Sequence, residues 1–145
     1  MKEYFSNNCS SLVVYKKDNN VFKIFRRNNV GFGRFKNEVF FLNTFSKYNN
    51  FPDLIDYNIK TLTLKMNYCG ENINKKYIPD NWKEQVYNIN DILCKYRVEL
   101  IDLQPKNILC KNNIIYLIDF DSYYILKKYN NNNLNRLLLI FKNLL

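Results

Sequence analysis

The chain has 145 residues, 47% of them hydrophobic and 17% aromatic, and its formal net charge is +9. This composition excludes an intrinsically disordered chain, and the length is sufficient for one domain, or two small lobes, with a buried core. The sequence has no His and its four Cys are widely spaced, so we expect no zinc site and reduced thiols in a cytoplasmic protein.

The positive charge is spread along the chain. The chain is rich in Asn, Lys, Ile, Tyr and Phe, as expected for a protein encoded by an AT-rich genome, and such codon usage alone could produce the excess of Lys. A basic surface attracts phosphates, but there is no dense cluster of Lys or Arg, so a nucleic-acid partner is not expected. Residues 1–11 lack the apolar run of a signal peptide, and the apolar segment 134–145 is too short to span a bilayer. The Asn-rich segment 129–135 is expected to be a surface linker.

The first half of the chain predicts two strand pairs with a helix between them. Residues 11–17 and 21–27 are rich in β-forming residues, and the polar turn at 18–20 indicates a hairpin. A second strand pair is predicted at 54–59 and 62–68. The helix between the pairs would bury a stripe of apolar residues at three- and four-residue spacing: Phe35, Val39, Leu42 and Phe45.

The second half predicts a connector, a helix, a hairpin and a final helix. Asp80 or Asn81 would cap the first of these helices. Its buried face would consist of Trp82, Val86, Ile89 and Leu93. The hairpin is predicted from residues 107–110 and 114–120, with a polar turn between them. The final helix would present four apolar residues on one face: Leu134, Leu137, Leu138 and Phe141.

Three polar residues stand at the edges of these apolar segments. Asp102 is followed five positions later by Asn107, and Asp119 comes at the end of an apolar run. Each residue alone is typical of a turn or a cap.

Several segments resemble the motifs of protein kinases, in the order in which that family has them. Residues 102–107 (DLQPKN) resemble the catalytic loop, and residues 115–121 (IYLIDFD) resemble the strand that leads into Asp-Phe-Gly. Residues 21–25 (VFKIF) resemble the strand that carries the ATP-binding Lys. Residues 37–45 (NEVFFLNTF) resemble the αC helix with its Glu, and residues 64–73 (LKMNYCGENI) resemble the hinge.

The likeness covers roughly residues 10–124, and the sequence resembles the short kinase-like proteins of large, AT-rich DNA viruses. It implies an α+β, minimal two-lobed protein-kinase-like fold in a single domain. Residues 1–68 would form an antiparallel N-lobe with an αC-like helix, residues 69–74 the hinge and residues 75–145 a truncated helical C-lobe. If the protein is viral, the host cytoplasm would be its location.

The same resemblance implies ATP and Mg²⁺ as cofactors and phosphoryl transfer to an alcohol group of a Ser/Thr protein or of a small molecule. Asp102 would be the general base. Lys23 would reach the phosphates and pair with Glu38 at the lip of a cleft, where an ion pair gains little stability. Asn107 and Asp119 would bind the nucleotide through the magnesium ion, whose preferred ligands are oxygens.

Further nucleotide contacts are implied by the resemblance alone. Val21 would cover the adenine ring, and Met66 would line the back of its pocket. The hinge backbone at Asn67 and Cys69 would bind the edge of the ring. Ser10 and Ser11 would contact the phosphates in place of the missing glycine-rich loop.

Departures from the family pattern leave a second function open. Gln104 stands where kinases have a Lys that touches the transferred phosphate, and Asp121 replaces the Gly of Asp-Phe-Gly. Leu100 and Ile101 stand where kinases have His and Arg before the catalytic Asp. Only 24 residues follow Asp121, too few for an activation segment. The alternative is a pseudokinase or binding module that engages a partner protein or kinase without catalysis.

Overall fold

The computed structural model describes residues 2–6 and 11–145. The chain is α+β, with three α-helices and antiparallel sheets, as the composition and periodicity predicted. It divides into two compact units, Met1–Tyr68 and Cys69–Leu145. Within the described residues, no helix is both long and apolar enough to cross a membrane.

The first unit is a five-stranded antiparallel sheet in the order β1-β2-β3-β5-β4, with one helix. The two predicted strand pairs are present, and the strand β1 at the start of the chain was not predicted. The elements are β1 (Lys2–Ser6), β2 (Ser11–Lys17), β3 (Asn20–Phe25), α1 (Asn29–Phe45), β4 (Leu54–Asn58) and β5 (Thr63–Asn67).

The helix α1 begins at a close contact with the preceding chain. Asn28 is its N-cap, and the Asn28 Oδ1 accepts a hydrogen bond of 2.7 Å from the Gly31 N–H. A Cβ added at Gly31 would lie 1.9 Å from the Arg26 carbonyl oxygen, so only glycine fits this first turn. The predicted stripe is confirmed, because all four of its residues are buried: Phe35, Val39, Leu42 and Phe45.

The aromatic core of the first unit gathers around the end of α1. Phe41 and Phe45 stack with their ring centroids 4.1 Å apart, and Phe51 meets Phe41 at 5.8 Å. Each of these rings is at most 2% exposed. Buried aromatic contacts of this kind hold the segment around Phe51 against the end of α1.

The second unit has two small antiparallel sheets and two helices. The strand β7 pairs with β10, and β8 pairs with both β6 and β9. The elements are β6 (Glu71–Asn72), α2 (Trp82–Lys95), β7 (Val98–Leu100), β8 (Ile108–Lys111), β9 (Ile114–Leu117), β10 (Tyr123–Ile125) and α3 (Asn132–Leu144), with short 3-10 helices at Lys75–Tyr77 and Pro105–Asn107.

The helices α2 and α3 pack through one aromatic pair, in which Trp82 and Phe141 stack at 5.0 Å. The predicted buried face of α2 is confirmed, since its four residues are all buried: Trp82, Val86, Ile89 and Leu93. Asn81 occupies the N-cap position of α2, but the expectation of a side-chain cap was wrong. Its Oδ1 instead accepts a bond of 2.9 Å from the Gln85 side chain.

The prediction for α3 was partly wrong. Leu137 and Phe141 are buried, whereas Leu134 and Leu138 are half-buried. The third buried residue of α3 is Asn133, at 1% exposure, inside the segment that was predicted to be a surface linker. Buried amides require hydrogen-bond partners, and two of those of Asn133 lie in β7.

Gly70 opens the second unit with a backbone that other residues rarely adopt. Its φ is +102°, and a Cβ there would lie 2.1 Å from the Cys110 carbonyl oxygen. The strand β8 therefore approaches the segment that follows Tyr68 closely, and this approach requires a residue without a side chain.

Candidate functional site

The first unit contains a buried ion pair between Lys23 and Glu38. In β3, Lys23 lies in register between Val14 of β2 and Leu64 of β5, while Glu38 is on the buried face of α1. The Lys23 Nζ lies 2.7 Å from the Glu38 Oε2. The predicted pairing is present, but the expectation of an exposed pair was wrong, because the two side chains are only 3% and 1% exposed.

Two apolar residues lie beside Lys23. Its Nζ lies 5.0 Å from the centroid of the Phe25 ring, and Leu64, its cross-strand neighbour in β5, is fully buried. A low-dielectric environment strengthens the attraction between the two charges but makes each charge costly to bury alone. The arrangement therefore fixes the position of the lysine nitrogen and depends on the carboxylate of Glu38.

The second unit holds Asp102 within a loop of side-chain amides. The Asn107 Nδ2 donates to the Asp102 carbonyl oxygen at 2.9 Å and to its Oδ2 at 3.1 Å. The Gln104 Nε2 donates to the Asp102 Oδ1. Asp102 is half-buried and Asn107 is 6% exposed. Both carboxylate oxygens are thus held by neutral donors from the same loop.

The hairpin of β8 and β9 brings the segment of Asp119 beside Asn107. Ile108 pairs with Leu117, and the Ile118 N–H donates to the Asn107 carbonyl oxygen at 3.0 Å. A shared magnesium ion requires the two ends of this hairpin to lie close together, and the backbone brings them together. Asn107 and Asp119 are therefore near one another in the fold of the second unit.

Asp119 combines a left-handed backbone with a neighbouring carboxylate. Its φ of +70° is in the left-handed region, which costs about 1–3 kcal/mol for a residue with a side chain. A carboxylate oxygen of Asp119 lies within 4.8 Å of one from Asp121, and Asp121 is only 4% exposed. Oxygen ligands at this spacing could hold a hard divalent cation such as Mg²⁺. Asp121 was noted in the sequence only as a replacement for Gly.

The predicted adenine-binding residues fall into two groups. Val21 and Met66 are directly opposite one another in β3 and β5, half-buried and buried respectively, so the sheet does bring this pair together. At the predicted hinge, Cys69 is buried at 2% exposure.

The Asn67 backbone N–H, part of the predicted hinge contact with adenine, is engaged within the first unit. It donates to the Asp53 carbonyl oxygen at 3.2 Å, and the Asn67 Oδ1 accepts from the Asp53 N–H at 2.8 Å. The Tyr68 N–H likewise donates to the Asn19 carbonyl oxygen. Both N–H groups are therefore engaged within the first unit, at the end of β5.

Most of the predicted phosphate-binding loop lies outside the residues that the structure describes. Ser10 is not among the described residues. Ser11 begins β2, where its backbone pairs with Phe25, and its side chain is outside the described part of the chain.

Two residues that the sequence did not single out contact the chain just before Asp102. Asn133 and Arg136 of α3 bind the backbone of Leu100. One signal was present in the sequence: Asn133 is four and eight residues before Leu137 and Phe141, so it occupies the buried stripe of the helix.

Comparison with known proteins adds no relative. The chain matches no protein-family model, and no curated protein matches it significantly. The function must therefore be inferred from the residues and their geometry.

Proposed function

We propose that the chain is a minimal ATP- and Mg²⁺-dependent phosphotransferase with a protein-kinase-like, two-lobed fold. The observation that carries the proposal is the buried ion pair between Lys23 on a central strand and Glu38 on the following helix. An apolar pair of similar volume would often be as stable or more so, which indicates that the charge has a use. Phosphoryl transfer needs positive charge held in a fixed position.

The residues of the second unit suit the remaining tasks. The Asn107 Nδ2 is used to bind Asp102, which leaves the side-chain oxygen Oδ1 of Asn107 as the natural metal ligand beside Asp119. A carboxylate has about four lone-pair positions, so Asp102 can accept an incoming hydroxyl in addition to its two amides. Asp102 would orient that hydroxyl and take its proton. When bound, ATP would supply the phosphoryl group with ADP as the leaving group, and Mg²⁺ would neutralise the phosphate charge.

A binding module without catalysis is the second candidate. It is favoured by the occupation of both Asp102 carboxylate oxygens within its own loop, one of them by Gln104, a neutral residue at a position where kinases have a Lys. On this alternative, the same surfaces would engage a partner protein or kinase, and loss of the Asp102 charge would leave that binding intact.

Thermal stability with and without ATP and magnesium tests nucleotide binding. At a nucleotide concentration about one hundred times the Kd, the free energy of unfolding should rise by about 2.7 kcal/mol. Lys23→Met should abolish the rise, whereas Lys36→Met, on the exposed side of α1, should retain it. No rise with the natural chain at millimolar nucleotide would contradict the proposal.

Release of labelled γ-phosphate tests the chemistry, with water as an acceptor so that no substrate need be known. We expect Asp102→Asn and Asp119→Asn to reduce the rate by at least about 10²-fold. Asp80→Asn, an exposed carboxylate of the same unit, is the matched control and should leave the rate unchanged. Equal rates in all four proteins would exclude catalysis at this site, and nucleotide binding without release would favour the binding module.

A further inference from the structure

The strand β7 leads into Asp102, and its two edges are bound by different partners. Along one edge, the Leu126 N–H donates to the Arg97 carbonyl oxygen at 2.8 Å, and the Ile101 N–H donates to the Ser122 carbonyl oxygen at 3.4 Å. The backbone groups of Arg97 and Ile101, at the two ends of β7, therefore face the side of β10. Backbone groups of alternate residues point to opposite edges of a strand, so those of Val98 and Leu100 face away from β10.

Asn133 meets this second edge. Its Oδ1 accepts from the Leu100 N–H at 3.0 Å, and its Nδ2 donates to the Val98 carbonyl oxygen at 2.8 Å. A side-chain amide carries the same donor and acceptor as a peptide group. Asn133 therefore takes the place of a neighbouring strand for two residues of β7, and it does so at 1% exposure.

Arg136, one turn later on α3, binds the last carbonyl groups before Asp102. Its Nη2 donates to the Leu100 carbonyl oxygen, and its Nη1 donates to that of Ile101 at 3.2 Å. The same Nη2 lies 3.2 Å from the Asn133 Oδ1. The guanidinium thus joins the end of β7 to the amide that binds its edge.

Tyr129 braces Asn133 from a different direction. The Tyr129 hydroxyl donates to the Asn90 Oδ1 on α2 at 2.6 Å and lies 3.4 Å from the Asn133 Nδ2. Burial raises the pKa of Tyr129, so its hydroxyl keeps its proton and remains a donor at neutral pH. Asn133 is accordingly bound to β7 directly and linked to α2 through Tyr129.

We propose that Asn133 and Arg136 are positioning residues that set the direction in which the chain leaves β7 and thereby hold the Asp102 loop in its working geometry. The inference rests on the proposed phosphotransfer at Asp102. Only Ile101 separates the bound Leu100 from Asp102, so a rotation of the Leu100 peptide moves the Asp102 carboxylate directly. A displacement of about 1 Å at a catalytic group can lower a rate by about 10²-fold.

Two NMR signals test the geometry without any assay of activity. In Asn133→Ala, we expect the Leu100 amide proton to exchange at least about tenfold faster, because its acceptor is lost. The side-chain amide signals of Asn107, which donates to Asp102, should shift as the loop moves. Asn135→Ala, an exposed residue of the same helix, should change neither signal.

A second variant keeps the test decisive if Asn133→Ala does not fold. Arg136→Gln alters a half-buried side chain and should also shift the Asn107 amide signals. A Leu100 amide that exchanges at its original rate in Asn133→Ala would overturn the inference. Faster exchange at Leu100 with unchanged Asn107 signals would also overturn it, since the contact would then be local support for β7.

Kinetics separate this inference from the proposed function. For Arg136→Gln, we expect kcat to fall by about 10²-fold while KM for ATP stays the same, because only the Asp102 loop is displaced. An unchanged kcat together with shifted Asn107 signals would overturn the positioning role. If the natural chain shows no transfer but both NMR changes occur, the phosphotransferase proposal fails and the control of the Asp102 loop by α3 is upheld.

Discussion

The two units fix their candidate functional groups by different means. In the first unit, the charge of Lys23 is held by the opposite charge of Glu38, and both side chains are buried. In the second, the charge of Asp102 is held by the neutral amides of Gln104 and Asn107. A charged partner fixes one atom strongly, whereas several amides fix the orientation of a whole carboxylate and its backbone.

The energies of the two arrangements differ accordingly. Removing one partner from a buried ion pair typically costs about 3–5 kcal/mol, because an uncompensated charge stays in the interior. Removing one donor from a network typically costs about 1 kcal/mol. We therefore expect the first site to be much more sensitive to a single substitution than the second.

Neutralising Glu38 should produce the largest effect. Glu38→Gln leaves the Lys23 ammonium buried, and we expect a loss of about 3–5 kcal/mol in the free energy of unfolding, measured by urea denaturation. Lys36→Met, an exposed change on the same helix, should stay within about 0.5 kcal/mol of the natural chain.

The double variant Lys23→Met, Glu38→Leu replaces both buried charges by apolar side chains of similar volume, and it should regain most of that stability. If the double variant is as unstable as Glu38→Gln, the pair is not an energetic unit, and the contrast between the two sites is lost.

The start of α1 offers a second way to probe the first site, because this helix carries Glu38. Gly31→Ala would force a Cβ against the Arg26 carbonyl and should cost about 1–3 kcal/mol. Gly33→Ala, two residues later, has open space among the described residues and should stabilise the helix by about 0.5–1 kcal/mol. Thermal denaturation would measure both; equal effects would show that α1 is free to shift away from Arg26.

The sequence predicts best where one periodic pattern decides the structure. The apolar stripes of α1 and α2 lie at helical spacing, and burial followed from that spacing alone. The pairing of Lys23 with Glu38 was anticipated through the family resemblance. Its burial was not, because exposure depends on what surrounds a side chain and not on its own type.

The sequence fails where a partner distant in the chain decides the structure. The strands β6, β7 and β10 are only two or three residues long, and they form because each has a neighbour to pair with. Asn133 was misread for the same reason. A run of Asn is polar in composition, but one of its members is buried because β7 supplies a donor and an acceptor for its amide.

Substitutions of the amides around Asp102 should have the smallest effects on the free energy of unfolding. The test is which of the two substitutions costs more. Asn107→Ala removes two bonds to Asp102 from a residue only 6% exposed, so we expect a loss of about 1–2 kcal/mol. Gln104→Ala removes one bond from a half-buried residue and should cost about half as much in urea denaturation. A larger loss for Gln104→Ala would mean that the carboxylate contact, and not the backbone contact of Asn107, keeps the loop closed. Asp102 would then be held in the same way as Lys23, through the partner of its charge.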